Sequence, residues 1–168
     1  MQQNTNIREA NTCDYQSIAN IYNEYITLGT SNMEETFKTT ADIAGWRKKF
    51  NDREKLYVFT DHEIVIGWGI IKRYSDREGY RFACETAVYF TETELGKGYG
   101  TQMKKFVIDA CKQLQYKHLV AKVFATNTAS IAYNEKLGYT IVGRQHQIGF
   151  RNGQWLDMII MQYIIENE

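Results

Sequence analysis

The chain has 168 residues, 43% of them hydrophobic and 24% charged, which suits a single domain spanning residues 1–168 around one substantial core. Twenty basic residues balance twenty acidic ones, so no global field favours nucleic acid or an acidic membrane surface, and any anionic ligand has to be held locally. Cys13, Cys84 and Cys111 fit neither a disulfide framework nor a zinc cluster, residues 1–6 lack the layout of a signal peptide, and no apolar run approaches the ~20 residues of a membrane span; the expectation is a cytoplasmic protein with no metal and no membrane partner.

Proline is absent, so Asn, Asp, Ser, Thr and Gly must start the helices and turn the chain. Residues 7–10 read as a first strand, after which Asn11, Thr12 and Asp14 offer N-cap side chains. The helix that follows carries Ile18, Ile21, Tyr22, Tyr25 and Ile26 at three-and-four spacing, a stripe that predicts burial. A loop over 33–38 leads to a second short helix, opened by Thr39, Thr40 and Asp42. Residues 56–59 and 64–71 are rich in β-branched and aromatic side chains and predict a hairpin turning at Asp61-His62. Gly67 and Gly69 inside its second arm imply close approach of another backbone or a large side chain, with packing and function equally good reasons.

A strand over 80–90 then enters a glycine-alternating loop and a helix from Tyr99 to about Gln115. A strand over 118–125, a helix over 128–137 stopped by Gly138, and two antiparallel strands over 139–150 and 155–165, turned by Arg151-Asn152-Gly153, complete the chain. The order is βααβββαβαββ. It predicts an α/β (α+β) fold, a mixed, mostly antiparallel sheet flanked by helices.

The loop at Gly96, Gly98 and Gly100 is followed by a helix with Met103, Phe106, Val107, Ala110 and Leu114 on one face, whose free N–H groups aim back at the loop. That layout suits a pyrophosphate, although a tight strand-to-helix turn uses glycine for steric reasons alone. The spacings of a P-loop and of a dinucleotide fingerprint are both absent; the glycines read G-x-G-x-G. Upstream, Glu85 sits among Ala83, Cys84, Thr86, Ala87 and Val88. It reads either as a buried carboxylate, raised by desolvation toward the range of a general base near neutral pH, or as a strand Glu facing solvent or paired with Arg81 on the same face.

Longer motifs carry more. Leu95-Gly96-Lys97-Gly98-Tyr99-Gly100 meets the pattern [RQ]-x-x-G-x-[GA] except in its first position. Glu85-Thr86-Ala87-Val88-Tyr89-Phe90 corresponds to Glu-x-x-Val-Tyr-Val, and Asn127-Thr128-Ala129-Ser130 is followed by Glu135-Lys136-Leu137-Gly138-Tyr139 and by the hairpin from Gly149 through Trp155 to Asp157. In this order, from Ile7 to about Tyr163, they resemble the GCN5-related N-acetyltransferases (GNAT superfamily), and most closely the phosphinothricin and methionine sulfoximine N-acetyltransferase branch.

The resemblance implies acetyl-CoA-dependent acetylation of the amino group of a small amino-acid-like substrate by direct transfer. Acetyl-CoA would lay its pantetheine arm along Val88, Tyr89 and Phe90 and its pyrophosphate on Gly96, Lys97, Gly98, Tyr99, Gly100 and Thr101, with Asn127 hydrogen-bonded to the arm. Glu85, directly or through a water, would take a proton from the substrate ammonium. None of the cysteines has a neighbouring base, and Cys84 beside Glu85 is a poor thiolate, which agrees with direct transfer. Tyr80 and Arg81 match the branch's substrate-side segment, Arg81 being the candidate for a substrate carboxylate. A homodimer is implied as well, with Phe150, Trp155, Met158 and Ile160 of the terminal hairpin as its apolar surface.

Two positions depart from the family. Leu95 removes a side-chain donor near the pyrophosphate. Asn134 stands where relatives carry Tyr or His as a general acid, and Tyr133 beside it is expected to point about 100° away on its helix, leaving the acid unassigned. Competing readings are a protein or peptide N-terminal acetyltransferase, and a non-catalytic acyl-CoA-binding regulator, against which the retention of Glu85 counts.

Overall fold

A computed structural model describes residues 4–166. The strands are β1 (Thr5–Glu9), β2 (Lys55–Asp61), β3 (Ile64–Arg73), β4 (Ala83–Phe90), β5 (His118–Phe124), β6 (Thr140–Arg151) and β7 (Gln154–Ile164). The helices are α1 (Tyr15–Leu28), α2 (Thr40–Lys49), α3 (Tyr99–Gln113) and α4 (Thr128–Lys136). In chain order they give the βααβββαβαββ arrangement that the sequence predicts. All seven strands form one sheet in the order β1-β2-β3-β4-β5-β7-β6. Every pairing is antiparallel except β4 with β5.

Local chemistry sets the helix starts. Asn11 and Asp14 form a capping box ahead of α1, and Arg8 locks Asp14 with two hydrogen bonds of 2.7 and 2.9 Å. Thr39 and Asp42 form a second box at α2. The stripe of α1 packs Ile18, Ile21 and Tyr22 with Ile43 of α2 against Leu56, Val58 and Trp68. On the other sheet face α3 presents Val107, Ala110 and Cys111 to Ile71, Cys84, Leu119 and Ala121. Two layers of helix around one sheet result. Among the described residues no helix is long and apolar enough to cross a membrane.

Packing accounts for the paired glycines of β3. A Cβ on Gly67 would meet the Phe90 ring at 2.5 Å, and one on Gly69 would meet Met103 Cε of α3 at 2.9 Å. Gly69 therefore lets α3 close onto the sheet beside the glycine loop.

The expected strand over 80–90 is shorter. Tyr80 N–H donates to Arg77 O and Arg81 N–H to Glu78 O, which makes a single 3₁₀ turn, Glu78–Tyr80. Arg53 holds the next carbonyl, with Nη1 2.7 Å from Arg81 O, and its Nε donates to Leu114 O at the end of α3. These bonds occupy the backbone that a longer strand would need, so β4 starts at Ala83. Arg81 is thus not on the strand, and the alternation that would put it on the face of Glu85 is broken.

Candidate active site

Among the described residues the one parallel pairing is also the shortest central one. Strands β4 and β5 are in register at Ala83 with His118, Cys84 with Leu119 and Glu85 with Val120, and then separate. From Thr86 to Phe90 the chain stays bonded to β3 on one side and offers a free edge on the other. A cavity of about 760 Å³ fills the divergence, lined by Thr86 to Phe90, by Ala121 to Phe124, by Asn127, Tyr133 and Asn134, and at its mouth by Leu95, Gly96, Gly98, Gly100 and Thr101. The notch and the glycine loop are one continuous surface.

At the mouth, Gly96 has φ +79° and Gly98 φ +84°, the left-handed region that suits glycine. Added Cβ atoms there would stand in open space. Gly98 is the N-cap of α3 and no side chain caps that helix, so its first N–H groups are free to meet an anion. Uncapped N–H groups of this kind suit an anion, and an unpaired strand edge suits an extended amide-bearing ligand.

The expected cofactor residues divide by backbone and side chain. The Tyr99 ring is buried against Phe59 at 5.1 Å, and Phe90 packs on the same ring, so both offer only main chain. Phe90 O already accepts a hydrogen bond of 2.7 Å from Tyr25 OH. The Tyr89 ring lies among Tyr22, Tyr25 and Trp68, and burial pushes its phenol well above the ordinary range. Lys97 turns to Glu94 at 2.9 Å rather than into the cavity. Asn127 caps α4, its Oδ1 accepting from Ser130 N–H at 3.1 Å, which leaves the amide Nδ2 as its donor toward the cavity.

Of the two readings of Glu85, the structure has the half-buried, ion-paired one. Its side chain is 36% exposed and Oε2 lies 2.9 Å from Lys122 Nζ of β5. The partner is Lys122 rather than Arg81. Lys122 lines both the notch and a second cavity of about 1090 Å³, so the ion pair marks the boundary between them. Tyr80, Phe82, Val120, Val142, Ile148 and Ile160 give the second cavity an apolar and aromatic wall.

Tyr80 is thus near the site, its ring 5.4 Å from that of Tyr74. Arg81 lines neither cavity: its guanidinium stacks on Phe82 at 4.8 Å and donates to Glu78 O. The 3₁₀ turn takes it off the strand that carries Glu85.

Tyr133 and Asn134 both border the notch, contrary to the expected divergence. The Tyr133 phenol reaches back to donate to Gly100 O, tying α4 to the start of α3, and burial raises its pKa. Asn134 is buried; its Nδ2 donates to Ser130 O at 3.0 Å, while Oδ1 has no protein partner.

Three residues of the site were missed by sequence reasoning: Lys122, Thr86 and Lys104, all on the notch wall. A signal existed for Lys104, which shares the helical face of Gly100, Val107 and Cys111 and so interrupts an apolar stripe with a charge. Among the described residues no group of three or more His, Cys, Asp and Glu side chains could hold a metal.

Comparison with known proteins agrees with this geometry. Residues 7–160 match the Acetyltransferase (GNAT) domain family. An L-methionine sulfoximine/L-methionine sulfone acetyltransferase of Pseudomonas aeruginosa is 30% identical, over 93% of this chain and 92% of that protein. Of solved structures, a putative acetyltransferase from Salmonella typhimurium with its cofactor acetyl-CoA superposes with a TM-score of 0.91 at 25% identity, over 98% of this chain and 96% of that one. A phosphinothricin acetyltransferase from Sinorhizobium meliloti in complex with acetyl-CoA gives 0.90 at 28%, over 96% and 89%. With its glycine cradle, its β4–β5 notch and this match along nearly its whole length, the chain belongs to the GCN5-related N-acetyltransferase family.

Proposed function

We propose that the chain, acting as one domain, transfers the acetyl group of acetyl-CoA to the amino group of a small amino-acid-like acceptor. The carrying observation is the continuity of the uncapped α3 N-terminus with the free edge of β4, ending at the Glu85–Lys122 pair beside a second cavity. The acceptor class rests on the relatives, among which are a methionine sulfoximine acetyltransferase and a phosphinothricin N-acetyltransferase.

In this reading the N–H groups of Gly98, Gly100 and Thr101 hold the pyrophosphate, and the main chain of Val88 to Phe90 with Asn127 Nδ2 holds the arm. Acetyl-CoA supplies the activated acyl group. Main-chain N–H groups on the open edge of β4 polarise the thioester carbonyl. Glu85, directly or through a water, takes the proton from the acceptor ammonium arriving from the second cavity. Burial of Cys84 and Cys111, whose Sγ atoms lie 3.7 Å apart, keeps both thiols away from the notch lining and supports direct transfer.

The test is release of free CoA from acetyl-CoA with a panel of amino acids, their amides, simple amines and N-terminal peptides. Turnover confined to peptides would overturn the acceptor class. Acetyl-CoA binding with no turnover on any amine would overturn the catalytic reading.

A further inference from the structure

Lys104 is a cation with an unusual address. It leaves α3 on the face turned to the sheet and is 3% exposed, yet it borders the notch. Nζ donates to Thr86 Oγ1 at 3.3 Å and sits 4.7 Å from the centroid of the Tyr139 ring. Thr86 Oγ1 lies in turn 3.2 Å from Tyr139 OH. An ammonium has three donors, and the described residues supply one hydrogen-bonding oxygen and one ring face.

The groups around it supply no anion. From α3 itself comes Cys111, from β4 Cys84 and Thr86, from the segment after α4 Tyr139, and from α4 Tyr133 and Asn134 at the notch. The carboxylate neighbouring in sequence, Glu85, points to the opposite sheet face and is taken by Lys122; at the mouth, Glu94 is taken by Lys97. No carboxylate pairs with Lys104 among the described residues. A buried cation without an anion is costly to a fold, so its retention at the lining of a substrate cavity points to an anion that arrives with the substrate.

We propose that Lys104 receives the sulfur of the acyl carrier when it departs as a thiolate, and gives it a proton. This rests on the reading that acetyl-CoA fills the notch. As the bond from the acceptor nitrogen to the carbonyl carbon forms and the carbon–sulfur bond breaks, sulfur takes the bonding pair and one proton from Nζ. Lys104 is left as a neutral amine, which its apolar surroundings tolerate, and is reprotonated from solvent; the protons shed by the acceptor nitrogen leave through Glu85. Burial lowers the Lys104 ammonium from the ordinary lysine value to about 8, which makes it a readier proton donor than a solvated lysine.

The experiment compares CoA with desulfo-CoA, which lacks only the thiol, on the wild type, Lys104→Met and Lys104→Gln. Calorimetry gives the affinities from pH 7 to 9, and ultraviolet absorbance, with the desulfo-CoA complex as blank, follows ionisation of the bound thiol. The expected result is that bound CoA ionises at lower pH than free CoA in the wild type. Both substitutions should weaken CoA by roughly 10- to 100-fold, as for loss of one charge-assisted hydrogen bond, while leaving desulfo-CoA unchanged. Equal losses for the two ligands would overturn the proposal, and so would a wild-type bound thiol that ionises where free CoA does, a measurement that needs no variant. Wild-type protein that binds neither ligand would overturn the function proposed above as well.

Discussion

Lys122 Nζ stands 2.9 Å from Glu85 Oε2, across the gap where β4 and β5 part. The last position of β5 paired with β4 is Val120, so Lys122, still paired with β7, lies two residues into the divergence and reaches back to the strand that has just separated. The pair so placed marks where the two cavities meet, since Lys122 lines both. If Glu85 is the proton acceptor, Glu85→Gln should lower turnover near pH 7 by roughly 10²- to 10⁴-fold with acetyl-CoA affinity intact. Steady-state rates from pH 6 to 10 check this; full activity of the variant throughout would remove Glu85 from the mechanism.

The cradle makes a separate prediction. Gly98 has φ +84° and open space at its Cβ position, where a bound pyrophosphate would lie. Gly98→Val should therefore block acetyl-CoA binding, at a cost of about 1–2 kcal/mol for a left-handed β-branched residue, which a folded domain survives. Calorimetry together with thermal unfolding separates the two effects. Unchanged affinity would mean that the ligand lies elsewhere.

Arg81, outside both cavities, should matter little for acceptor recognition. Arg81→Met is expected to leave the ratio of kcat/KM for an amino acid and its amide within about threefold of wild type, well under the loss of one charge-assisted hydrogen bond. A tenfold or larger fall confined to the amino acid would restore Arg81 as the carboxylate holder.

Lys104 gives a stability prediction with a definite sign. Its folded-state value of about 8 lies below the ordinary 10.5, so between these values the unfolded chain binds a proton that the folded chain does not. Stability should rise with pH across that window, and the penalty is fully present below pH 8. The gap corresponds to about 3 kcal/mol, so Lys104→Met, which keeps the length and removes the charge, should stabilise the fold at pH 7 by up to that amount. It should also flatten the profile between pH 8 and 10.5. Urea unfolding of both proteins at pH 7, 9 and 10 decides; parallel profiles would place the Lys104 charge outside the balance.

The terminal hairpin carries the dimer prediction. Phe150 is 57% and Trp155 62% exposed, their rings 5.0 Å apart, with Val142 and Ile148 also exposed on β6. Met158, named with them from sequence, is buried instead. A homodimer would cover this patch. Light scattering at micromolar concentration should give twice the chain mass, reduced toward one by Trp155→Glu; a wild-type monomer would reject the idea.

Periodicity and capping chemistry are local, and they were enough to order the eleven strands and helices of the described residues and to place the helix starts at Asn11 and Thr39. The glycine alternation likewise announced a tight turn, because positive φ at Gly96 and Gly98 is a property of single residues. Family motifs also singled out Asn127, which caps α4 and lines the notch. What the chain could not disclose by itself depends on partners far away in sequence. The start of β4 was decided by Arg53 capturing Arg81 O, a bond across 28 positions. The partner of Glu85 was decided by the register at which β4 and β5 part, which brings in Lys122. Lys104 was half legible as a charge on an apolar stripe. Only the closure of α3 on the sheet, allowed by the bare backbone of Gly69, decided that this charge lies buried beside Thr86, at the lining of the notch.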